Sequence, residues 1–248
     1  MKRFILVVSF LLLTISVSGQ SLEQAEEAYQ NRNYSAAIGL YEAALLEGNL
    51  SGEVYFNLGN AYFITGELGQ AIVNYRIAEQ YLPRDRAIEN QLARARRERV
   101  DGIFPESDWL VILSNITTDT LTLTETATIA FITWIAFFFI WAIGIRQKRY
   151  KITISLLAVI MLISVGLLSA RLYVETQRPA GVILSADTAV MTGPGDNYLS
   201  LFTLYEGAEM RILDEREGWV RIMLPDNRQG WIRESTMRFV RIQSIGQG

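Results

Sequence analysis

Two long uncharged stretches constrain the fold of this chain more than any other feature. They run from Ala127 to Ile145 and from Ile152 to Ala170, and neither contains Asp, Glu, Lys or Arg. At about 1.5 Å per residue, a helix of either length crosses the roughly 30 Å hydrocarbon core of a membrane. We therefore predict transmembrane helices over 127–145 and 152–172, rather than a buried helix pair in a soluble protein.

The short loop between these stretches, residues 146–151, sets the predicted orientation. Its basic residues are Arg146, Lys148, Arg149 and Lys151. Short loops rich in Lys and Arg stay on the cytoplasmic side of a membrane. The sequence thus predicts a two-pass hairpin in the cytoplasmic (inner) membrane, with its loop in the cytoplasm and both flanking domains facing the periplasm.

The N-terminus has the pattern of a secretory signal peptide over residues 1–19. Lys2 and Arg3 precede an apolar run, and small residues end it near Gly19. This order of basic, apolar and small residues directs a chain out of the cytoplasm, in agreement with the predicted topology. Cleavage near Gly19 and retention as an uncleaved anchor are both open interpretations.

A period of 34 residues organises the part of the chain before the first apolar stretch. The recurring residues are Ala37, Ile38, Tyr41 and Ala44, which return as Ala71, Ile72, Tyr75 and Ala78, and Ala25, which returns as Gly59. Small residues at fixed spacing let helices approach while large ones fill the gaps opposite, which indicates a repeated helix pair. We predict pairs over about 21–50 and 52–83 and a capping helix over 85–100, within a domain over 20–104.

The second copy resembles the tetratricopeptide repeat. The residues that carry the resemblance are Tyr55, Leu58, Gly59, Tyr62, Ala71, Tyr75, Ala78 and Pro83. The resemblance implies a concave groove that holds a peptide or protein. The residues expected on that groove are Glu26, Asn60, Phe63, Arg94 and Arg97. The arginine run over 94–99 has a second interpretation, as a solvated helix face beside an anionic membrane.

After residue 181 the pattern changes to short alternating strands that end at Gly, Asn and Asp turns. This part, 181–243, resembles the bacterial SH3 family. The resemblance is carried by the turn Thr192–Gly195 with Tyr198, then Leu204 with Gly207, Gly218–Trp219–Val220 and Gly230–Trp231–Ile232. It implies a small β-barrel, with Tyr198, Trp219 and Trp231 as a candidate ligand surface. Packing within the barrel is the alternative role of the two tryptophans.

The connector over 105–126 contains a short apolar segment, Trp109–Leu113, that follows a potential helix cap at Ser107–Asp108. It either lies in the membrane interface or docks on the protein. The predicted fold class is therefore a multidomain membrane protein: all-α tetratricopeptide repeats, a two-helix transmembrane hairpin and a small all-β SH3-like barrel.

The composition argues against several classes of function. The chain contains no His and no Cys, which removes the commonest general acid–base, the thiol nucleophile and most metal sites. Its formal net charge of −3 gives no indication of nucleic-acid binding. No catalytic motif or phosphate-binding loop is present. We predict no enzymatic activity and no catalytic, cofactor-binding or metal-binding residues.

The order of segments resembles the aerotolerance-operon (Bat) family of Bacteroidetes, and in particular its type E members. Residues 88–92 and 100–103, followed by a tryptophan segment before the hairpin, carry this likeness. It implies a scaffold in a stress-related membrane complex whose partners are membrane-anchored von Willebrand A-type proteins and, indirectly, a MoxR-type ATPase. The alternative is an envelope sensor that binds peptidoglycan through the SH3-like domain.

Overall fold

The computed structural model describes residues 21–100, 122–144, 150–177 and 180–241. These residues form two compact units. The first unit joins residues 21–100 to residues 180–241, so the parts on either side of the apolar stretches belong to one body. The predicted signal peptide, the apolar segment Trp109–Leu113 and most of the basic loop lie outside the described residues.

Helices fill the N-terminal half of the first unit. They are α1 over 21–30, α2 (Tyr34–Leu46), α3 (Gly52–Thr65), α4 (Leu68–Tyr81) and α5 (Arg86–Arg97). From α2 onwards each helix packs against the next, and α3 with α4 forms the most extensive pair. Helix α1 contacts α2 through Tyr29 and Tyr34. The prediction of helices in this half and a sheet in the C-terminal half is confirmed. Helix α5 is shorter than the predicted 85–100, because Asp85 caps it and Glu98 ends it.

The 34-residue period of the sequence recurs in the hydrogen bonds of the helices. The Tyr41 hydroxyl donates to Glu26 at 3.0 Å, and the equivalent Tyr75 hydroxyl donates to Asn60 at 2.8 Å. Burial, followed by the hydrogen bond with Glu26, raises the pKa of Tyr41 well above its usual value, so the hydroxyl remains a donor. Each tyrosine thereby fixes its helix against the preceding helix of its own copy.

The C-terminal ends of α1 and α3, which are 34 residues apart, have the same backbone conformation. Arg32 and Gly66 both adopt the left-handed conformation, with φ of 60° and 88°. The amides that follow, of Asn33 and Glu67, donate to the carbonyls of Ala28 and Tyr62. Such left-handed ends satisfy helix carbonyls, and glycine adopts them without strain.

These ends predict opposite effects of two substitutions. Gly66→Ala places a Cβ in the left-handed region and is expected to lower the free energy of unfolding by about 1 kcal/mol. Arg32→Gly removes that strain in the first copy and is expected to raise stability by less than about 1 kcal/mol. Denaturant midpoints of the full chain in detergent micelles measure both, and two changes of the same sign would contradict the prediction.

The core of the helices alternates bulky and small residues. Tyr41, Ile72, Tyr75, Ile88 and Leu92 are almost completely buried. A Cβ built on Gly59 would lie 2.7 Å from the ring of Tyr75, so α3 and α4 approach too closely for a larger residue there. The expected role of small residues in close helix packing is therefore observed at this position.

Seven strands form one antiparallel sheet in the C-terminal half. They are β1 (Gly181–Ile183), β2 (Thr188–Met191), β3 (Ser200–Leu204), β4 (Glu209–Arg216), β5 (Trp219–Met223), β6 (Gln229–Arg233) and β7 (Met237–Phe239), in the order β3-β2-β6-β5-β4-β1-β7. Val190, Leu204, Ile222 and Ile232 lie at the centre of its core. A short 3-10 turn precedes β7. The sheet lies within the range predicted for the C-terminal domain.

The sheet packs on the last helices of the array. Val182 and Val240 are buried in the same hydrophobic cluster as Ile72 and Ile88. The backbone amide of Gly69, in the first turn of α4, donates to the Glu206 carboxylate at 2.8 Å. A carboxylate at a helix N-terminus satisfies an otherwise unpaired amide and is favoured by the helix dipole. The sheet thus covers the end of the helical array.

The second unit contains two long apolar helices, α6 (Leu123–Gly144) and α7 (Lys151–Gln177), which pack on each other. Both are long and apolar enough to cross a membrane. Helix α6 begins before the predicted Ala127 because of a capping box: the Thr122 amide donates to Glu125, and the Glu125 amide donates to the Thr122 hydroxyl. Large apolar side chains such as Phe131, Phe139 and Leu162 remain exposed.

Candidate functional site

An open groove of about 630 Å³ lies between α3 and α5 of the helical array. The residues that shape it are Phe56, Asn90, Gln91, Arg94, Arg97 and Glu98. Its lining combines one aromatic ring, two side-chain amides, two guanidinium groups and one carboxylate. The amides and guanidinium groups can donate several hydrogen bonds to carboxylates or backbone carbonyls of an extended polypeptide. We refer to this surface as the repeat groove.

Two of the five predicted groove residues line the repeat groove, and a third, Phe63, lies against one of them. Arg94 and Arg97 line the repeat groove, and the Arg94 guanidinium lies 4.9 Å from the centre of the Phe63 ring. Glu26 and Asn60 do not line this groove and instead accept hydrogen bonds from tyrosines. Both have a structural partner within the helices. Their predicted role in partner binding remains a prediction.

Phe56, Asn90 and Gln91 line the repeat groove but are not among the five residues predicted from the sequence. The spacing of the buried residues Ile88, Leu92 and Ala95 defines the face of α5 that packs in the core. At 3.6 residues per turn, Gln91 flanks that face, whereas Asn90 is exposed near the opposite side of the helix. Helical spacing therefore indicates Gln91 as a neighbour of the core face, but it does not indicate Phe56 or Asn90.

The arginine run of α5 is divided between two surfaces. Arg94 and Arg97 are exposed on the repeat groove, whereas Arg96 is half-buried against the sheet and Arg99 is buried. The sequence predicted either a groove or a solvated face for these arginines, and neither prediction included the contacts of Arg96 and Arg99 with the sheet.

A buried carboxylate accounts for the arginines that face the sheet. Glu209, at the start of β4, is 5% exposed and accepts from Arg96 through both oxygens, at 2.7 and 2.9 Å. Arg76 of α4 lies 3.0 Å from the same carboxylate, and Arg99 lies 3.5 Å from it. Arg76 also pairs with Glu79 at 2.6 Å. We call Glu209 with its three arginines the Glu209 cluster.

The electrostatics of this cluster favour the ionised carboxylate. Burial by itself would raise the pKa of Glu209, but the hydrogen bond from Arg96 and the charges of Arg76, Arg96 and Arg99 outweigh it. The pKa of Glu209 therefore lies below its ordinary value. Because Glu209 belongs to the sheet and its partners to α4, α5 and the residues that follow, the cluster ties the two halves of this unit together.

The three predicted ligand residues of the sheet differ in exposure. Tyr198 is 46% exposed, Trp219 is half-buried and Trp231 is 8% exposed. The Arg233 guanidinium lies 5.2 Å from the Trp219 ring centre and pairs with Asp196. The Tyr198 ring covers Gly193, where a Cβ would overlap it. Among the three, Tyr198 offers the largest free surface to a ligand.

Within the part of the chain that the structure describes, no group of three or more Asp or Glu side chains could hold a metal ion. In comparisons with known proteins, no protein-family model and no curated protein matches this chain.

Proposed function

We propose that this protein is a non-enzymatic, membrane-anchored scaffold that holds a partner protein in its repeat groove. The observation that carries the proposal is the groove itself, whose lining includes the Phe56 ring and the guanidinium groups of Arg94 and Arg97, which suit an extended acidic segment. The two membrane-length helices supply the anchor. Tetratricopeptide repeats and an SH3-like barrel are the folds that we propose for the helices and the sheet.

The sequence resemblance supplies the proposed setting. The protein belongs, on this proposal, to the aerotolerance-operon family and acts in a stress-related complex of the cytoplasmic membrane. Both halves of its first unit face the periplasm. Membrane-anchored von Willebrand A-type proteins are the proposed partners, and a MoxR-type ATPase is linked through them.

Replacement of the two groove arginines tests the scaffold. We expect Arg94→Glu/Arg97→Glu to lower partner recovery at least about tenfold in a detergent pull-down from crosslinked native membranes, since charge reversal repels an acidic segment. The control, Arg32→Gln/Arg221→Gln, removes two exposed arginines outside the groove. Equal recovery of a stoichiometric partner by both variants would contradict the proposal.

A second candidate function is peptidoglycan binding by an envelope sensor. The observation that favours it is an exposed apolar patch on the sheet, formed by Tyr198, Leu199 and Leu201. Aromatic and apolar side chains at a surface are typical of ligand-binding sites. In the same pull-down, recovery of wall fragments without a protein partner, lost on Tyr198→Ala, would favour the sensor over the scaffold.

A further inference from the structure

A second groove, of about 430 Å³, lies where the helices meet the sheet. Its apolar surface comes from Phe63 and Leu68 of the helical array, Val100 after α5, and Tyr205 after β3. We call it the junction groove. It exists only because the sheet is held on α4 and α5, since both halves of the unit contribute to its walls.

The junction groove continues the repeat groove. Glu98 lines both of them. Phe63 lines the junction groove, while the Arg94 guanidinium that lies over its ring lines the repeat groove. The two grooves therefore meet at Glu98 and at the Arg94–Phe63 contact, where a polypeptide that lies along Arg94 and Arg97 comes next to the junction groove.

The two grooves differ in charge. The ionisable side chains with carboxylates in the junction groove are Glu98, Asp187 and Glu206, and no Lys or Arg is among its lining residues. Glu206 is held in place by the Gly69 amide. Glu98 and Asp187 are exposed and available to a ligand. The repeat groove presents Arg94 and Arg97 beside the shared Glu98, so its lining carries a net positive charge.

We propose that the junction groove binds a basic segment of the same polypeptide whose acidic segment occupies the repeat groove. The alkyl stem of a Lys or Arg would pack on Phe63 and Tyr205 while its head meets Glu98 and Asp187. This inference rests on the proposed scaffold function and specifies its ligand: an extended chain with an acidic stretch followed or preceded by a basic, apolar one.

The charges exclude the competing occupants. Phosphate and anionic lipid headgroups would meet three carboxylates and be repelled. A wholly acidic peptide would fit the repeat groove but not its continuation. The opposite charges of the two grooves also select the direction of the bound chain, because reversing it places like charges together.

Fluorescence anisotropy with three labelled synthetic peptides tests the inference on the full chain in detergent micelles. One peptide contains Asp and Leu, one contains Lys and Leu, and one joins the two compositions. Each half of the joined peptide has about six residues, which is about 20 Å of extended chain at about 3.3 Å per residue. We expect the joined peptide to bind at least about tenfold more tightly than either half, because linkage makes the second contact intramolecular.

Matched variants locate the effect. Glu98→Gln/Asp187→Asn is expected to lower the affinity of the joined peptide about tenfold, which corresponds to about 1.4 kcal/mol, without weakening the acidic peptide, because Glu98 repels an acidic chain in the repeat groove. Glu23→Gln/Glu27→Gln removes two exposed carboxylates of α1 and is the control. Equal losses in the two variants would overturn the inference.

The outcomes separate this inference from the proposed function. If the acidic peptide binds in an Arg94- and Arg97-dependent way and the basic half adds nothing, the scaffold groove stands and the junction site is refuted. If the basic peptide alone binds and depends on Glu98 and Asp187, the junction site stands without the scaffold groove. Dimerisation of the free chain that is lost in the Glu98→Gln/Asp187→Asn variant would instead assign the junction groove to a second copy and overturn the proposal.

Discussion

Glu209→Gln is expected to lower the free energy of unfolding of the first unit by about 3–5 kcal/mol, because it removes one partner of a buried ion cluster. The substitution preserves shape but leaves Arg76, Arg96 and Arg99 near one another without the central negative charge. Two of these arginines are at most 10% exposed in their side chains, so water cannot replace the lost carboxylate.

The measurement is chemical unfolding of the full chain in micelles, combined with hydrogen exchange at α5 and β4. Exchange should accelerate in both elements, since the cluster joins them. Glu215→Gln is the control, because its pair with Arg241 is exposed at 50% and 67% and is expected to contribute less than about 1 kcal/mol. A loss in Glu209→Gln no larger than in this control would show that the cluster does not stabilise the unit.

The Glu209 cluster is also expected to make the free energy of unfolding depend on pH. The folded-state pKa of Glu209 is depressed below its ordinary value of 4.5, so its contribution is complete well above that pH. As the pH falls below 4.5 towards the folded-state pKa, protonation of the unfolded chain removes this contribution. The stability difference between the wild type and Glu209→Gln should therefore be constant near neutral pH and shrink in acid. A difference that grows in acid would contradict the depressed pKa.

Gly59→Val is expected to lower the free energy of unfolding by about 3 kcal/mol, because overpacking a tight core costs about that much. Even a Cβ at this position would lie 2.7 Å from the Tyr75 ring, and Tyr75 is completely buried. The ring cannot move aside without breaking its hydrogen bond to Asn60. Helices α3 and α4 would have to separate.

Gly39→Val is the matched control for this change. Gly39 also lies within a helix, α2, but a Cβ there would meet nothing within 4 Å. Both substitutions replace glycine by the same β-branched residue, so the difference between them isolates packing from helix propensity. Thermal unfolding of the two variants measures it, and similar midpoints would mean that the α3–α4 contact is not tight.

Much of the helical half followed from the sequence. The 34-residue period placed the helices and identified Gly59, Ala71 and Ala78 as small residues at contacts, and all three are buried. The start of α6 was missed by four residues. Its signal, Thr122 followed three positions later by Glu125, is present in the sequence, but the charge of Glu125 places it outside the uncharged stretch.

The candidate site was only partly predictable. Arg94 and Arg97 line one groove and Arg94 lies over Phe63, whereas Glu26 and Asn60 are engaged by tyrosines; the role of all five in partner binding stays a prediction. A sequence shows which residues share a helix face. It does not show whether a polar residue on that face is already used by a neighbouring helix.

The sequence by itself determined the local features of this protein: the periodic helices, the alternating strands and two helices long and apolar enough to cross a membrane. These depend on residue spacing and on the apolar character of nearby residues, which are local properties. Only the tertiary structure decided that residues 21–100 and 180–241 form one unit. The Glu209 cluster joins residues more than 100 positions apart, and such a contact depends on burial and charge pairing that local spacing does not encode.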